Sequence, residues 1–252
     1  MLIMNRKRYF FRFKEIWFSD SPYDVDGCDS VLFRACKNGA EKEGFSRKEF
    51  TTLVIDLTRD TDTLWRNIDK GHRYEIGRAG REGIKIALSG DHEGFYGMYK
   101  RFSDKRGFSP NLGIRDIVEK YGTLFSAIHN DTVLAYGLFL EDSDNIRWLV
   151  GVSPRLEADP RRAVMIGYAN KLLMWETMLY AKKKAIKEFD LGGYYAGPVK
   201  NRVLENVNFF KKRFGVKPAV HYIFEKDYSG LLRLLKKIRG YFKSAPGGKA
   251  GS

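Results

Sequence analysis

The sequence predicts a mixed fold of the α/β (α+β) class, and three observations predict it. Residues 123–129, 132–140 and 146–152 are rich in β-branched and aromatic side chains. They are parted by Asn130-Asp131 and by the polar run 142–145, so they read as an antiparallel meander. A long helical stretch over about 161–184 then leads into a short strand at 188–191 that ends in Gly192-Gly193. Upstream, the apolar run 51–57 reads as a strand feeding a helix, so strands and helices alternate along most of the chain.

The first 50 residues offer only short aromatic segments, around 9–18 and 31–36, with Gly and Asp turns between them. After the strand at 51–57 a helix starts near Thr61, with Asp60 or Thr61 as N-cap and Leu64, Trp65 and Ile68 on its buried side. It can continue through 73–83, where three glycines weaken the helical pattern. Residues 84–88 read as a strand, and 91–106 as a helix with Phe95, Met98, Tyr99 and Phe102 inward. Past the strand at 188–191 come a helix over about 202–214, a strand over 217–225 and a last helix over 228–243. The resulting division is an N-terminal part at 1–122, a more complete module at 123–243 and a flexible tail at 244–252.

The composition narrows the chemistry. A 252-residue chain with 43% hydrophobic residues can bury a core without staples. Its two cysteines, Cys28 and Cys36, fit no CxxC pattern, and its four histidines are scattered, so neither a disulfide framework nor a structural zinc site is expected, and no metal is assigned. The net charge of +14 favours anionic partners: RNA, a phosphorylated nucleotide, coenzyme A or an anionic membrane face. The N-terminal stretch is broken by Arg12, Lys14 and Glu15 too early for a secretory signal, and no uncharged apolar run approaches the ~18 residues of a membrane span. The expected location is cytoplasmic, with the inner membrane face as a surface within reach.

Candidate functional residues concentrate between 189 and 215. Alternation in a strand puts Phe189 and Leu191 on one side and Asp190 on the other, near the strand's carboxyl end. Gly192 and Gly193 permit close ligand approach; equally, Asp190 can cap a turn that the glycines only reverse. Tyr194, Tyr195 and Lys200 follow in the same loop as substrate-binding candidates. In the next helix Val203, Val207, Phe210 and Phe214 recur as a core stripe, which Lys211, Lys212 and Arg213 leave. Lys211 there can compensate the helix dipole, or stabilise an anionic transition state or hold a phosphate. Arg73, Arg78 and Arg81 would share a broad basic face able to meet phosphates or merely be solvated. Arg155, Arg161 and Arg162 flank the start of the long helix, where unpaired amides favour anions. Glu176, beside Trp175 in mid-helix, is either a general base or an ordinary ion-paired glutamate.

The strand end DLGG, the glycine-containing loop and NFFKKRFG before a final strand resemble the closing motif of the FemABX peptidyl-aminoacyltransferases. LLMWETMLYAKKKAIKEFDLGG is similar to that family's helix-then-strand approach, and WRNIDKGHRYEIGRAGREGIKI to its basic segment, so the likeness spans about 51–224. The resemblance implies a GNAT-like mixed sheet flanked by helices, with an abbreviated first module packed on a more complete second one. It further implies transfer of an amino acid from aminoacyl-tRNA to an amine of a phosphorylated or lipid-linked peptidoglycan precursor. The Phe-Lys pair of the family's motif falls on Phe210 and Lys211, the lysine lying near the reacting carbonyl. No permanently bound cofactor is implied, the donor being a co-substrate.

Two other readings stand beside it. An acyl-CoA-dependent N-acyltransferase acting on an amino sugar or peptide amine would share the fold, although the turn ADPRRAVMIG does not match a (Q/R)xxGxG/A pyrophosphate loop. A non-enzymatic RNA-binding protein would explain the charge alone. Finally, the stretch 231–243, from Leu231 to Lys243, is a basic amphipathic helix that either packs on the domain or touches tRNA or an anionic leaflet.

Overall fold

The structure, a computed structural model, describes residues 1–107, 111, 113–197 and 201–244, the side chains of 239–244 excepted. Two compact units emerge: Met1–Phe50 with Val220–Ser252, and Thr51–Ala219. The chain thus divides at 50/51 and 219/220, whereas the sequence reading set its boundary at 122/123.

In the first unit β1 (Leu2–Arg8) and β2 (Phe11–Trp17) form an antiparallel hairpin closed by Tyr9-Phe10. β3 (Ser30–Cys36) lies parallel to β2 and antiparallel to the end of β10 (Lys217–Asp227). Ile16, Val31, Phe33, Cys36 and Phe224 make a small core, and Arg34 reaches the Glu15 carboxylate at 2.6 Å. Both cysteines are free and buried, and burial pushes the Cys36 thiol up to about 12. α7 (Gly230–Ser244) closes the unit.

The second unit holds the expected meander and alternating helices. Its strands are β4 (Ser46–Asp56, from Thr51 on), β5 (Lys85–Leu88), β6 (Gly122–His129), β7 (Thr132–Glu141), β8 (Asn145–Val152) and β9 (Glu188–Gly193). Their order across the sheet is β4-β9-β8-β7-β6-β5; β8 and β9 run parallel and the other neighbours antiparallel. This is the mixed sheet flanked by helices that the sequence predicted.

The helix expected from Thr61 is two. α1 (Thr61–Asn67) ends at Ile68, whose backbone is extended, and α2 (Lys70–Arg81) restarts under Asp69, whose carboxylate accepts from Gly71 N at 2.8 Å. Asp69 is also held from the far end of the unit by Arg213, 2.5 Å away, and a side chain at Gly71 would strike that guanidinium at 2.7 Å. α3 (His92–Arg106) is capped by Asp91 as its sequence implies, and α4 (Ile114–Lys120) adds a short helix that the sequence reading did not anticipate.

α5 (Pro160–Lys183) lies against β6, β7 and α2 and buries Ile166, Ala169, Leu173, Met174 and Met178 in the main core with Phe139 and Phe189. α6 (Arg202–Lys212) is fixed at both ends. Asn201 caps its start, accepting from Leu204 N at 3.1 Å, and beyond its end Gly215 takes φ +74° where a Cβ would come within 2.8 Å of the Asn67 carbonyl.

α2 reaches α6 through His72, which is buried. Its Nε2 lies 3.2 Å from the Phe210 carbonyl; a carbonyl only accepts, so Nε2 carries the proton and Nδ1 is left without a partner. Burial, reinforced by the charges of Lys171 and Arg213, holds the imidazole down at about 4. Between pH 6.5 and 4 the unfolded chain therefore binds a proton that the folded chain refuses. Stability from this site is complete above pH 6.5 and falls as the pH drops toward 4. His72→Gln, which retains a donor for Phe210, is expected to remove that acid-sensitive component, on the order of 2 kcal/mol at pH 4. Urea unfolding of both proteins at pH 4.5 and 7 checks this; parallel pH dependences would refute it.

Candidate active site

β8 and β9 are paired in register from Asn145↔Glu188 to Arg147↔Asp190, and each strand continues beyond its last partner, to Val152 and to Gly193. The parallel strands therefore part after Arg147 and Asp190. The candidate site is built where the two strands part.

Phe189, Asp190 and Leu191 are all buried, because β9 is an interior strand covered on both faces. A buried carboxylate must be satisfied locally. Asp190 accepts from Thr52 Oγ1, from Arg147 Nη1 and, at 2.7 Å, from Gly192 N–H. Asp190 thus fixes the turn at the strand's end, the plainer of its two readings, and also anchors a buried ion pair with Arg147.

Lys211 does not leave the buried stripe of α6; it is 7% exposed. Its Nζ donates to the Gly193 carbonyl at 2.9 Å and sits 5.7 Å from the centre of the Trp148 ring. Gly192, at φ +84°, takes a backbone conformation that a side chain would strain, and a Cβ there would sit in ordinary contact, 3.5 Å from Nζ and 3.4 Å from the Trp148 carbonyl. Burial lowers the ammonium to about 8, Arg147 adds to the lowering and Asp190 opposes it. At pH 7 the group is mostly charged, with about one molecule in ten neutral. A lysine so poised can stabilise an oxyanion and exchange a proton near neutrality.

Trp148 also lines an open cavity of about 250 Å³, and Lys211 is not among its described lining residues. β7 and β8 supply Tyr136, Gly137, Trp148 and Gly151, with Ser153 just past β8; α5 supplies Gly167, Asn170, Leu173 and Met174; and α6 supplies Val203, Asn206, Val207 and Phe210. Arg106 and Arg155, both exposed, complete its lining with two positive charges. A bulge in the β7–β8 register between Phe139↔Trp148 and Leu138↔Val150 turns the indole, and Gly151 admits it, since a Cβ there would be 2.4 Å from the ring. The Tyr136 hydroxyl donates to Asp91, the cap of α3, and burial together with that carboxylate raises its pKa. Val203 and Val207, expected in the core, instead face this cavity at 47% and 36% exposure, while Phe214 alone of their stripe is fully buried.

The structure gathers Lys211, Phe210, Asp190, Gly192 and Gly193 at the parted strands. Tyr194 and Tyr195 follow directly: Lys212 Nζ lies 4.8 Å over the Tyr194 ring, and Asn208 holds Tyr195 by its N–H at 3.0 Å and its carbonyl at 2.7 Å. Phe210 lines the cavity and packs 6.0 Å from Trp148 and 5.3 Å from Phe214, so it serves both wall and core.

Other candidates are placed elsewhere. Arg73 folds back on the end of α1, donating to the Arg66 carbonyl at 2.6 Å and the Ile68 carbonyl at 2.9 Å; Arg78 pairs with Glu82 at 2.7 Å. Both arginines are thus engaged in contacts at helix ends. Arg161 and Arg162 are exposed on the first turn of α5, where Asp159 already accepts from Arg162 N at 3.0 Å. Glu176 is half-buried on α5 and is not among the described residues lining the cavity. Lys200 lies outside the described residues.

Arg147, Thr52 and Trp148 were not anticipated. The available signal was an arginine inside the apolar strand at 145–152, together with strand-interior glycines at 137 and 151. Among the described residues no three His, Cys, Asp or Glu side chains converge to hold a metal ion.

No family model matches the chain, and no curated protein matches it. Solved structures do. FemX superposes with a TM-score of 0.64 at 14% identity, covering 92% of this chain and 85% of its own. The C-terminal domain of a putative lysylphosphatidylglycerol synthetase from Agrobacterium fabrum gives 0.57 at 13% identity, over 99% of this chain and 87% of that one. L-PGS from Bacillus licheniformis gives 0.55 at 13% identity, over 94% and 84%. The FemABX-type fold implied by the sequence is the fold observed.

Proposed function

We propose that this chain is an acyltransferase that moves an aminoacyl group from aminoacyl-tRNA to an amine of a cell-wall precursor. The observation that carries the reading is Lys211: a buried ammonium near pKa 8, placed where β8 and β9 part, beside a cavity walled by Trp148 and Phe210. Aminolysis of an ester needs a neutral amine and a stabilised oxyanion, and no protein nucleophile. In this reading the acceptor amine attacks the ester carbonyl and Lys211 stabilises the charge that grows on its oxygen. The C–N bond forms, the C–O bond to the ribose breaks, and the amine's proton ends on the leaving oxygen. The likeness of fold to FemX supports the reaction class, and Arg106 and Arg155 beside the cavity suit a phosphorylated substrate.

An acyl-CoA donor is less well supported at the start of α5. There the Asp159 carboxylate occupies an amide that a pyrophosphate would use, and the turn lacks the glycines that let backbone approach phosphate. Two parallel arms test the donor. Labelled aminoacyl-tRNA is expected to give transfer to a peptidoglycan-precursor amine and to raise Tm, whereas micromolar acetyl-CoA does neither. Stabilisation by acetyl-CoA with no response to charged tRNA would overturn the proposal.

A further inference from the structure

α7 packs on its unit by one side and leaves most of its aliphatic residues exposed. Leu232 is buried, and Lys236 binds the β10 carboxylates of Glu225 at 2.5 Å and Asp227 at 2.6 Å, so this side of the helix faces its own unit. At 100° per residue, Leu231, Leu234, Leu235 and Ile238 fall within one arc of about 100°, centred about 130° away from that side. They are 51%, 54%, 44% and 45% exposed. In sequence the spacing continues to Phe242, and residues 230–244 contain five Lys or Arg and no acid. An exposed aliphatic stripe bordered by cations, on a helix anchored by another side, is the pattern of a helix lying in a lipid–water interface.

From this we infer that the first unit docks on an anionic phospholipid surface through the outward stripe of α7. The other occupants fit less well. Two copies meeting stripe to stripe would bring only positive flanks together. An RNA would find aliphatic rather than aromatic side chains and nothing to stack on. The same unit carries a second exposed feature of interfacial character. At the β1–β2 turn Tyr9 and Phe10 are 81% and 66% exposed, with Lys7, Arg8 and Arg12 around them in sequence. No described helix is long and apolar enough to cross a membrane. The inference goes beyond the proposed reaction and does not depend on it.

Vesicle co-sedimentation of the full chain tests it without any activity assay. Phosphatidylcholine vesicles with a quarter phosphatidylglycerol are expected to bind at least about 10-fold more protein than pure phosphatidylcholine vesicles, and binding should weaken in 0.5 M salt. Leu234→Asp with Ile238→Asp should lower binding about 10-fold or more. Arg233→Glu with Lys237→Glu, which leaves the apolar stripe intact, should abolish the preference for anionic lipid. Because all four residues sit at the surface, unchanged thermal melting is expected and is checked alongside. Equal binding to neutral and anionic vesicles would overturn the inference. So would vesicle binding that survives both variant pairs, a dimer in light scattering that the Leu234/Ile238 pair makes monomeric in place of vesicle binding, or loss in that pair of binding to a single-stranded RNA probe.

Discussion

Lys211→Met is expected to lower turnover by about 10²-fold or more while leaving the protein at least as stable as before. Methionine is close to lysine in length and fits the slot between Trp148 and Gly192, so no cavity is opened. It cannot stabilise an oxyanion, and the Gly193 carbonyl it abandons belongs to an exposed residue that water can serve. The stability effect follows from the lowered pKa. Between about 8 and the ordinary value near 10.5 the folded chain binds fewer protons than the unfolded one, so stability rises with pH across that window. Below pH 8 the burial penalty is fully present. Removing it should stabilise the variant at pH 7 by on the order of 2 kcal/mol, a gain that fades toward pH 10.5. In wild type the rate limb set by the Lys211 cation should fall as pH rises through about 8, and this limb should be absent in the variant. Single-turnover transfer rates and urea melts from pH 6 to 10 measure both effects. Normal rates in Lys211→Met would remove the lysine from the mechanism.

How far the sequence foretold this site depends on what kind of signal each residue leaves. The meander, α3, α5 and β9 were legible because their apolar periods are long and their caps conventional, Asp91 being one. The first unit was not, because the β1–β2 hairpin turns on Tyr9-Phe10 in place of an Asn-Gly type signal, with Tyr9 at φ 56°. The break between α1 and α2 was hidden for another reason: Asp69 is held by Arg213, a partner distant in sequence. Within the site, Lys211 and the glycines at 192 and 193 could be found from motif and position. Its burial could not, because the valines of its helix face an open cavity and left the apolar stripe reading as core. Arg147 reads in the sequence as one charge in an apolar strand, although an arginine in an interior strand demands a partner, and Asp190 is that partner.

That pair carries the largest stability effect expected from any single change. Asp190→Ala strips three donors of their acceptor at once, leaving the Arg147 guanidinium with its side chain only 12% exposed and its carboxylate gone. Breaking a buried pair from one side costs about 3–5 kcal/mol, a large part of the 5–15 kcal/mol typical of a whole domain. Arg147→Met should cost less, since Asp190 keeps the Thr52 hydroxyl and the Gly192 amide as donors. Replacing both, Arg147→Met with Asp190→Leu, should recover part of the loss, so a double-mutant cycle on urea-unfolding free energies will show strong coupling. The pair also tunes the lysine, and in opposite directions. Asp190 supports the Lys211 ammonium and Arg147 opposes it, so Asp190→Asn should move the rate limb below pH 8 and Arg147→Met should move it above. A purely structural pair would alter stability and leave the limb in place. Shifts of opposite sign therefore distinguish electrostatic control of Lys211 from simple loosening of the parted strands, and shifts of the same sign would refute it.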